Sequence, residues 1–195
     1  MNTPNKLTLS RIILAPIFVI IFLFDDPHCR IAGFVIFVIA SLTDLADGHY
    51  ARKYNIVTGF GKFMDPLADK ILVTTAFIAV VALDCARAWM VALIVAREFY
   101  VTGLRSLMAY RGAVLSPSTM AKVKTTVQMI SITFILLMIT LDSFFALYKS
   151  PLQPLLEFNR QPVYDIIIGL ATLITLYTGL DYTIKYYHIL KNILR

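Results

Sequence analysis

The sequence predicts an all-α membrane protein with six transmembrane helices preceded by a short N-terminal interfacial helix. Of its 195 residues, 58% are hydrophobic and only 15% are charged, and the mean hydropathy is +0.75. Soluble domains carry about 25% charged residues, whereas a helix needs about 20 mostly apolar residues to cross a bilayer. Six such runs are present, at residues 7–24, 31–50, 62–83, 88–110, 119–147 and 163–187.

The segments that connect these runs are short, so we expect one domain that covers residues 1–195. Residues 5–11 mix polar and apolar side chains, and we expect them to form the interfacial helix before the first span. The first run is followed by Asp25-Asp26-Pro27 and not by a small-residue cleavage site. We therefore expect this run to be retained as a helix rather than removed as a signal peptide.

The distribution of basic residues predicts how the chain is oriented. If the termini and the second and fourth connections share one side, that side holds twelve Lys and Arg residues and the other side holds four. Basic residues concentrate in cytoplasmic connections, so both termini are expected to face the cytoplasm. The net charge of +6 then reflects topology and attraction to anionic lipid headgroups, and nucleic acid is not an expected partner. The twelve are Lys6, Arg11, Arg52, Lys53, Lys62, Arg105, Arg111, Lys122, Lys124, Lys185, Lys191 and Arg195; the four are Arg30, Arg87, Lys149 and Arg160.

The chain has two cysteines, Cys29 and Cys85, and both fall on the expected non-cytoplasmic side. A disulfide between them is possible in an oxidising compartment. Both are expected to lie in loops, and two unpaired loop thiols are the preferred interpretation.

Four aspartates stand out at the facing ends of the second and third runs. Asp44 and Asp47 are spaced i, i+3, and Asp65 and Asp69 are spaced i, i+4, so a helix places each pair on one face. A tight connection between two antiparallel helices would bring all four carboxylates together at the cytoplasmic boundary. Such a cluster repels itself unless protons, cationic side chains or metal ions balance it.

Oxygen ligands of this kind favour Mg²⁺ or Mn²⁺ over zinc. Four carboxylates can hold two such cations about 4 Å apart, the arrangement that clamps a phosphoryl group. The alternative is that the acids are ordinary helix-end charges. Negative charge near a helix N-terminus is favourable, which accounts for Asp65. It does not account for Asp44 and Asp47, which approach a helix C-terminus. The sequence therefore predicts a metal site.

The segment around the aspartates resembles the signature of the CDP-alcohol phosphotransferase family, D-x2-D-G-x2-A-R-x8-G-x3-D-x3-D. This resemblance implies six transmembrane helices, a homodimer in the bacterial inner (cell) membrane with its active site facing the cytoplasm, two divalent cations (Mg²⁺ or Mn²⁺) and a CDP-linked lipid donor. Every fixed position of the signature is matched, by Asp44, Asp47, Gly48, Ala51, Arg52, Gly61, Asp65 and Asp69.

The resemblance also implies roles for these residues. Asp44, Asp47 and Asp65 would be metal ligands, and Asp69 would contact metal and act as the catalytic base. Gly48 and Gly61 would allow the donor nucleotide to approach the helix backbone. The remaining donor-binding positions are Asp47, small Ala51, which leaves room, and Arg52, whose planar guanidinium suits a diphosphate.

A second group of residues suggests where the acceptor binds. Arg97 and Arg105 are eight residues apart, about 80° around a helix, and Thr102 lies between them. Lys122 begins the next run. Cations facing lipid are costly, so an anionic ligand or the aspartates should lie nearby. The alternative is that Arg97 pairs with Glu98 or an aspartate and that Lys122 extends toward the membrane surface.

The stretches 4–11 and 97–105 are similar to the branch of the family that uses glycerol 3-phosphate. The resulting hypothesis is transfer of a phosphatidyl group from CDP-diacylglycerol to glycerol 3-phosphate, giving phosphatidylglycerophosphate and CMP. Two alternatives stay open. One is a different acceptor, as in a cardiolipin synthase or a phosphatidylinositol-phosphate synthase. The other is a cation transporter with a carboxylate cluster, although transporters usually carry such acids near the bilayer midplane in repeated halves.

Overall fold

The computed structural model describes the backbone of residues 3–54, 59–110, 119–148 and 159–193. Side chains are described for residues 8–43, 64, 67–68, 70–109, 120–148 and 159–187. Within these ranges the chain is all-helical, without strands, as predicted. The helices are α1 (Thr3–Leu23), α2 (Pro27–Tyr54), α3 (Gly59–Ala82), α4 (Ala88–Tyr110), α5 (Thr119–Leu147) and α6 (Gln161–Ile193).

Two of these helices are long and apolar enough to cross a membrane, over Met120–Leu147 of α5 and Gln161–Tyr187 of α6. The apolar parts described for α1, α2 and α3 are shorter. Helix α4 has 23 residues but contains Arg97, Glu98 and Arg105, which lower its hydropathy. The structure thus confirms the all-helical fold and indicates membrane-spanning helices.

The expected separate interfacial helix is not observed, because α1 runs without a break from Thr3 to Leu23. Pro4 lies in the first turn, where a missing N–H costs nothing. No glycine or proline follows before Pro16, which lies inside the helix. The mixed polarity of residues 5–11 therefore marks the first turns of a longer helix.

The described residues group into two compact units. One comprises Met1–Cys85 and Ile132–Asn159, and the other comprises Ala86–Ser131 and Arg160–Arg195. Helix α5 contributes its first part to the second unit and its remainder to the first. The single domain expected from the sequence stays a prediction.

In the first unit, α1 packs against both α2 and α3. The ring of Phe18 lies between those of Phe22 and Phe37, with centroid distances of 5.6 and 5.3 Å, and all three residues are buried. Gly33 of α2 lies against Phe22, and a Cβ at Gly33 would be only 2.9 Å from the Phe22 Cβ. Because Phe22 is near Gly33 and Phe18 is near Phe37, α1 and α2 run antiparallel. This agrees with successive crossings of a membrane.

Helix α2 begins with a complete cap. The backbone N–H groups of His28 and Cys29 donate to Oδ1 of Asp26, at 2.8 and 3.1 Å. Asp26 is therefore the N-cap, and Pro27 takes the first helical position. Arg30, one turn further, pairs with Asp25 at 2.8 Å and donates to the Ser143 hydroxyl at 2.8 Å. This end of α2 thus meets the end of α5 within the first unit.

Helix α3 ends in a Schellman motif. Asp84 has a positive φ of 56°. The N–H of Asp84 donates to the Val81 carbonyl and the N–H of Cys85 donates to the Val80 carbonyl, at 3.0 and 2.9 Å. Both bonds satisfy carbonyls at the helix end. Cys85 follows the helix, Cys29 lies in the first turn of α2 rather than in a loop, and both are free thiols.

In the second unit, α4 packs against α6. Arg87, just before α4, donates to Asp165 near the start of α6, with Nη2 2.9 Å from Oδ2. Further along, the hydroxyls of Tyr100 and Thr183 are 3.1 Å apart. Since the contacts advance in the same direction along both helices, α4 and α6 are parallel. Two helices separated by one intervening membrane crossing have this arrangement.

Candidate active site

The signature residues lie on two helices of the first unit that contact each other. The backbone is α-helical at every signature position, so the i, i+3 and i, i+4 spacings place each acidic pair on one helix face. Asp44, Asp47, Gly48, Ala51 and Arg52 belong to α2, and Gly61, Asp65 and Asp69 belong to α3.

The side chains of the four aspartates lie outside the described set, so the predicted metal site stays a prediction. Among the described side chains, no group of three or more His, Cys, Asp or Glu could hold a metal ion. The chemistry of the four aspartates does fit Mg²⁺ or Mn²⁺, because all four supply hard carboxylate oxygens. Their helical placement on α2 and α3 is compatible with convergence, since the two helices are joined by only the four residues 55–58.

Arg97 is held in the second unit by contacts on three sides. Its side chain is 7% exposed. Nη1 donates to Oε1 of Glu98 at 3.2 Å, and Nη2 donates to the Thr178 hydroxyl at 3.0 Å. Its aliphatic stem lies against Gly179, where an added Cβ would be 3.0 Å from the Arg97 Cγ. The pairing of Arg97 with Glu98, which the sequence left as an alternative, is therefore observed.

Glu98 also joins α4 to α5. Its Oε1 accepts a hydrogen bond from Nζ of Lys124, whose side chain is 5% exposed. Lys122, the lysine that the sequence predicts at the acceptor site, is exposed. Lys122 and Lys124 are two positions apart along α5, so their side chains point about 200° apart around the helix axis. The lysine that the structure brings to Glu98 is thus Lys124. From the sequence, Lys124 was recognisable only as a second basic residue close to Lys122.

Arg105 lies on α4 two turns after Arg97 and also reaches α6. Its Nη2 donates to the Tyr182 hydroxyl at 2.7 Å, and its guanidinium carbon is 5.4 Å from the centre of the Tyr182 ring. Thr102, the third expected residue on this helix, donates its hydroxyl to the Glu98 carbonyl at 2.8 Å. Both arginines thus point toward the same stretch of α6, as their spacing predicts.

The Nε atoms of both arginines lie away from the partners described above. Nε of Arg97 and Nε of Arg105 are buried and have no hydrogen-bond partner among the described residues. Nε of Arg30, in the first unit, has the same environment, so this feature is not specific to the contact between α4 and α6. What distinguishes Arg97 and Arg105 is that both guanidinium groups reach the same stretch of α6.

A further polar contact links α5 to α6 within the second unit. The Gln128 side-chain amide of α5 donates to the Thr175 hydroxyl of α6 at 2.8 Å, and both residues are buried. Helices α4, α5 and α6 are therefore linked pairwise by side-chain hydrogen bonds. In apolar surroundings such bonds fix which faces of neighbouring helices meet.

Comparison with known proteins identifies the class. The sequence model of the CDP-alcohol phosphatidyltransferase family matches residues 1–181, and the chain belongs to this family. The family expected from the signature is thus confirmed.

Several relatives share one more specific name, CDP-diacylglycerol–glycerol-3-phosphate 3-phosphatidyltransferase. The protein of that name from Bacillus subtilis (strain 168) is 43% identical, over 98% of both chains. Its counterpart from Rickettsia bellii (strain RML369-C) is 37% identical, over 93% of both chains. The counterpart from Salmonella typhimurium is 40% identical over 69% of this chain and 76% of its own length.

Proposed function

We propose that this protein transfers a phosphatidyl group from CDP-diacylglycerol to glycerol 3-phosphate, giving phosphatidylglycerophosphate and CMP. The observation that carries the proposal is the complete signature, Asp44 to Asp69, on two helices that are α-helical at every fixed position. The shared name of relatives that align over nearly the whole chain supports the choice of donor and acceptor.

The donor and metal site is assigned to α2 and α3. Asp44, Asp47, Asp65 and Asp69 would hold two divalent cations, Mg²⁺ or Mn²⁺, which when bound neutralise charge on the diphosphate oxygens. Arg52 would pair with the diphosphate as a planar fork. The donor would pack close to the backbone along the small residues, Gly48 and Ala51 on α2 and Gly61 on α3.

Asp69 is assigned the role of general base. Its carboxylate would accept the proton of the acceptor hydroxyl as the oxygen attacks the β-phosphorus of the donor. The bond that breaks joins this phosphorus to the oxygen bridging the two phosphates, and CMP leaves with the bridging oxygen. Placing the base on the same helix as Asp65 ties its position to that of the metal-binding carboxylates.

The acceptor is assigned to Arg97, Thr102, Arg105 and Lys122. One observation supports a phosphorylated acceptor. The guanidinium groups of Arg97 and Arg105 both reach the same stretch of α6, at Thr178 and Tyr182. A phosphate monoester carries about −1.5 to −2 charge and accepts several hydrogen bonds, whereas a neutral alcohol has no charge to pair with two cations. Lys122 is kept in this set on the sequence prediction alone, since it is exposed and lies on a different face of α5 from Lys124.

The membrane arrangement is proposed as six transmembrane helices with both termini and the active site at the cytoplasmic face of the bacterial inner membrane. The antiparallel α1–α2 pair and the parallel α4–α6 pair support it, because alternating crossings require both orientations. The twelve-to-four distribution of basic residues supports the cytoplasmic side. A homodimer is proposed on the family resemblance alone.

The test uses the purified protein in detergent micelles containing CDP-diacylglycerol and Mn²⁺ or Mg²⁺. Adding glycerol 3-phosphate should release CMP, and glycerol, inositol phosphate, serine or phosphatidylglycerol should release it more slowly. Faster release with any of these would move the protein to another acceptor. Asp69→Asn should abolish turnover while leaving donor binding largely intact, and substantial residual turnover would remove Asp69 as the base.

A further inference from the structure

Glu98 is a partly buried carboxylate that lies between two cations. Its side chain is 15% exposed, and those of Arg97 and Lys124 are 7% and 5% exposed. One oxygen, Oε1, accepts from Nη1 of Arg97 on the same helix and from Nζ of Lys124 on α5. We call these three residues the Glu98 network. Its net charge is +1.

Stability alone is a poor explanation for this network. Taking charged groups out of water costs several kcal/mol each, and apolar side chains of the same volume often stabilise a fold as well or better. The contacts instead restrict one side chain closely. Arg97 is fixed at Nη1 by Glu98, at Nη2 by Thr178 and along its stem by Gly179. Only Nε is left without a partner among the described residues.

We infer that Glu98 is a positioning residue for the acceptor phosphate. Its carboxylate anchors Arg97 so that the guanidinium meets the phosphate without first being ordered, and Lys124 holds that carboxylate in place. An arginine side chain loses up to about 2 kcal/mol of conformational entropy when it is ordered. A site that has already ordered it binds its anion more tightly. The inference rests on the proposed function.

The experiment replaces Glu98 and Lys124 together, which leaves the net charge of the Glu98 network unchanged. Glu98→Met and Lys124→Met together remove one negative and one positive charge, so the net charge of the network stays +1. Arg97 then keeps Thr178 and Gly179 but loses its anionic anchor. The expected result is a rise of about tenfold in the KM for glycerol 3-phosphate, with kcat and the donor KM near wild type. A purely structural pair would leave this KM unchanged, since the apolar replacement restores packing.

A matched control is available at the other end of the same two helices. Arg87 and Asp165 pair at 2.9 Å between the start of α4 and the start of α6. Arg87→Gln with Asp165→Asn is also charge-neutral and should leave the acceptor KM at the wild-type value. A comparable rise in this control would show that any change in the α4–α6 region has the effect, and would overturn the inference.

The remaining outcomes are separable. If the wild-type protein releases no CMP with glycerol 3-phosphate, the proposed function fails and the inference fails with it. If the wild type is active and the double variant has an unchanged acceptor KM, only the inference fails. If the double variant does not fold, Glu98→Gln serves instead and should raise the same KM, with Glu98→Asp partly restoring it. An unchanged KM in Glu98→Gln would be decisive against the inference.

Discussion

Gly179→Ala tests whether the position of Arg97 controls binding of the acceptor. The added Cβ would lie 3.0 Å from the Arg97 Cγ and 3.5 Å from its Nε. Favourable carbon–carbon contacts begin near 3.5 Å, so Arg97 must move by about half an ångström. Its guanidinium is held by Glu98 and Thr178, so the movement strains these hydrogen bonds or breaks one.

Gly169→Ala is the matched control, because it lies in the same helix and a Cβ there would meet nothing within 4 Å. Replacing glycine by alanine inside a helix stabilises it by about 1 kcal/mol. Gly169→Ala should gain this in full, which raises the Tm by about 2–4 °C for a chain of this size. In Gly179→Ala the contact with Arg97 offsets most of the gain, and the Tm should stay near the wild-type value.

Two assays on each variant check this reasoning. Thermal unfolding in detergent should separate the two Tm values by about 3 °C. Initial rates of CMP release should give an acceptor KM raised about three- to tenfold in Gly179→Ala, with Gly169→Ala at the wild-type value. Equal Tm values together with equal KM values would refute the close approach of α6 to Arg97 and its role in binding.

Three further predictions concern the first unit, and one of them takes its control, Gly103, from α4 of the second unit. Asp26→Ala removes the cap of α2 and should lower stability by about 1 kcal/mol, measured as a lower Tm with unchanged helix content by circular dichroism. Gly33→Ala places a Cβ 2.9 Å from the Phe22 Cβ and should cost about 1–3 kcal/mol, whereas Gly103→Ala, with nothing within 4 Å, should not destabilise. Burial, and after it the charge of Asp84, raises the pKa of the Cys85 thiol. In a Cys29→Ser background, Cys85 should therefore be alkylated slowly at pH 7.5 and faster as pH rises, because the thiolate is the reactive form. Asp84→Asn lowers this pKa and should speed alkylation at fixed pH; an equal rate would contradict the contribution of Asp84.

The helices could be predicted from the sequence because apolar runs, and the glycines, prolines and polar residues that end them, are local signals. The runs 88–110 and 119–147 coincide with α4 and α5. The start of α2 was also encoded locally, since Asp before Pro supplies both the cap and the first helical residue. The prediction of a separate interfacial helix was wrong. Mixed polarity over two turns does not end a helix unless a helix-breaking residue follows, and none does before Pro16.

The contacts of Arg97, Arg105 and Lys124 could be predicted only in part from the sequence. Eight-residue spacing correctly put Arg97 and Arg105 on related faces of α4. Which lysine of α5 faces Glu98 depends on the rotation of that helix, and nothing local distinguishes Lys122 from Lys124. The fit of Arg97 against Gly179 joins residues 82 positions apart, which only the packed helices reveal.

The most direct test of the account is whether the purified protein makes phosphatidylglycerophosphate in a metal-dependent reaction. Lipid products can be measured by mass spectrometry after incubation with CDP-diacylglycerol and glycerol 3-phosphate. The account predicts product with Mg²⁺ or Mn²⁺, none after chelation with EDTA, recovery when the cation is restored, and none at any cation concentration for Asp47→Asn. Undiminished product in EDTA, or full activity of Asp47→Asn, would contradict the assignment of the aspartates as the metal site of a phosphatidyltransferase.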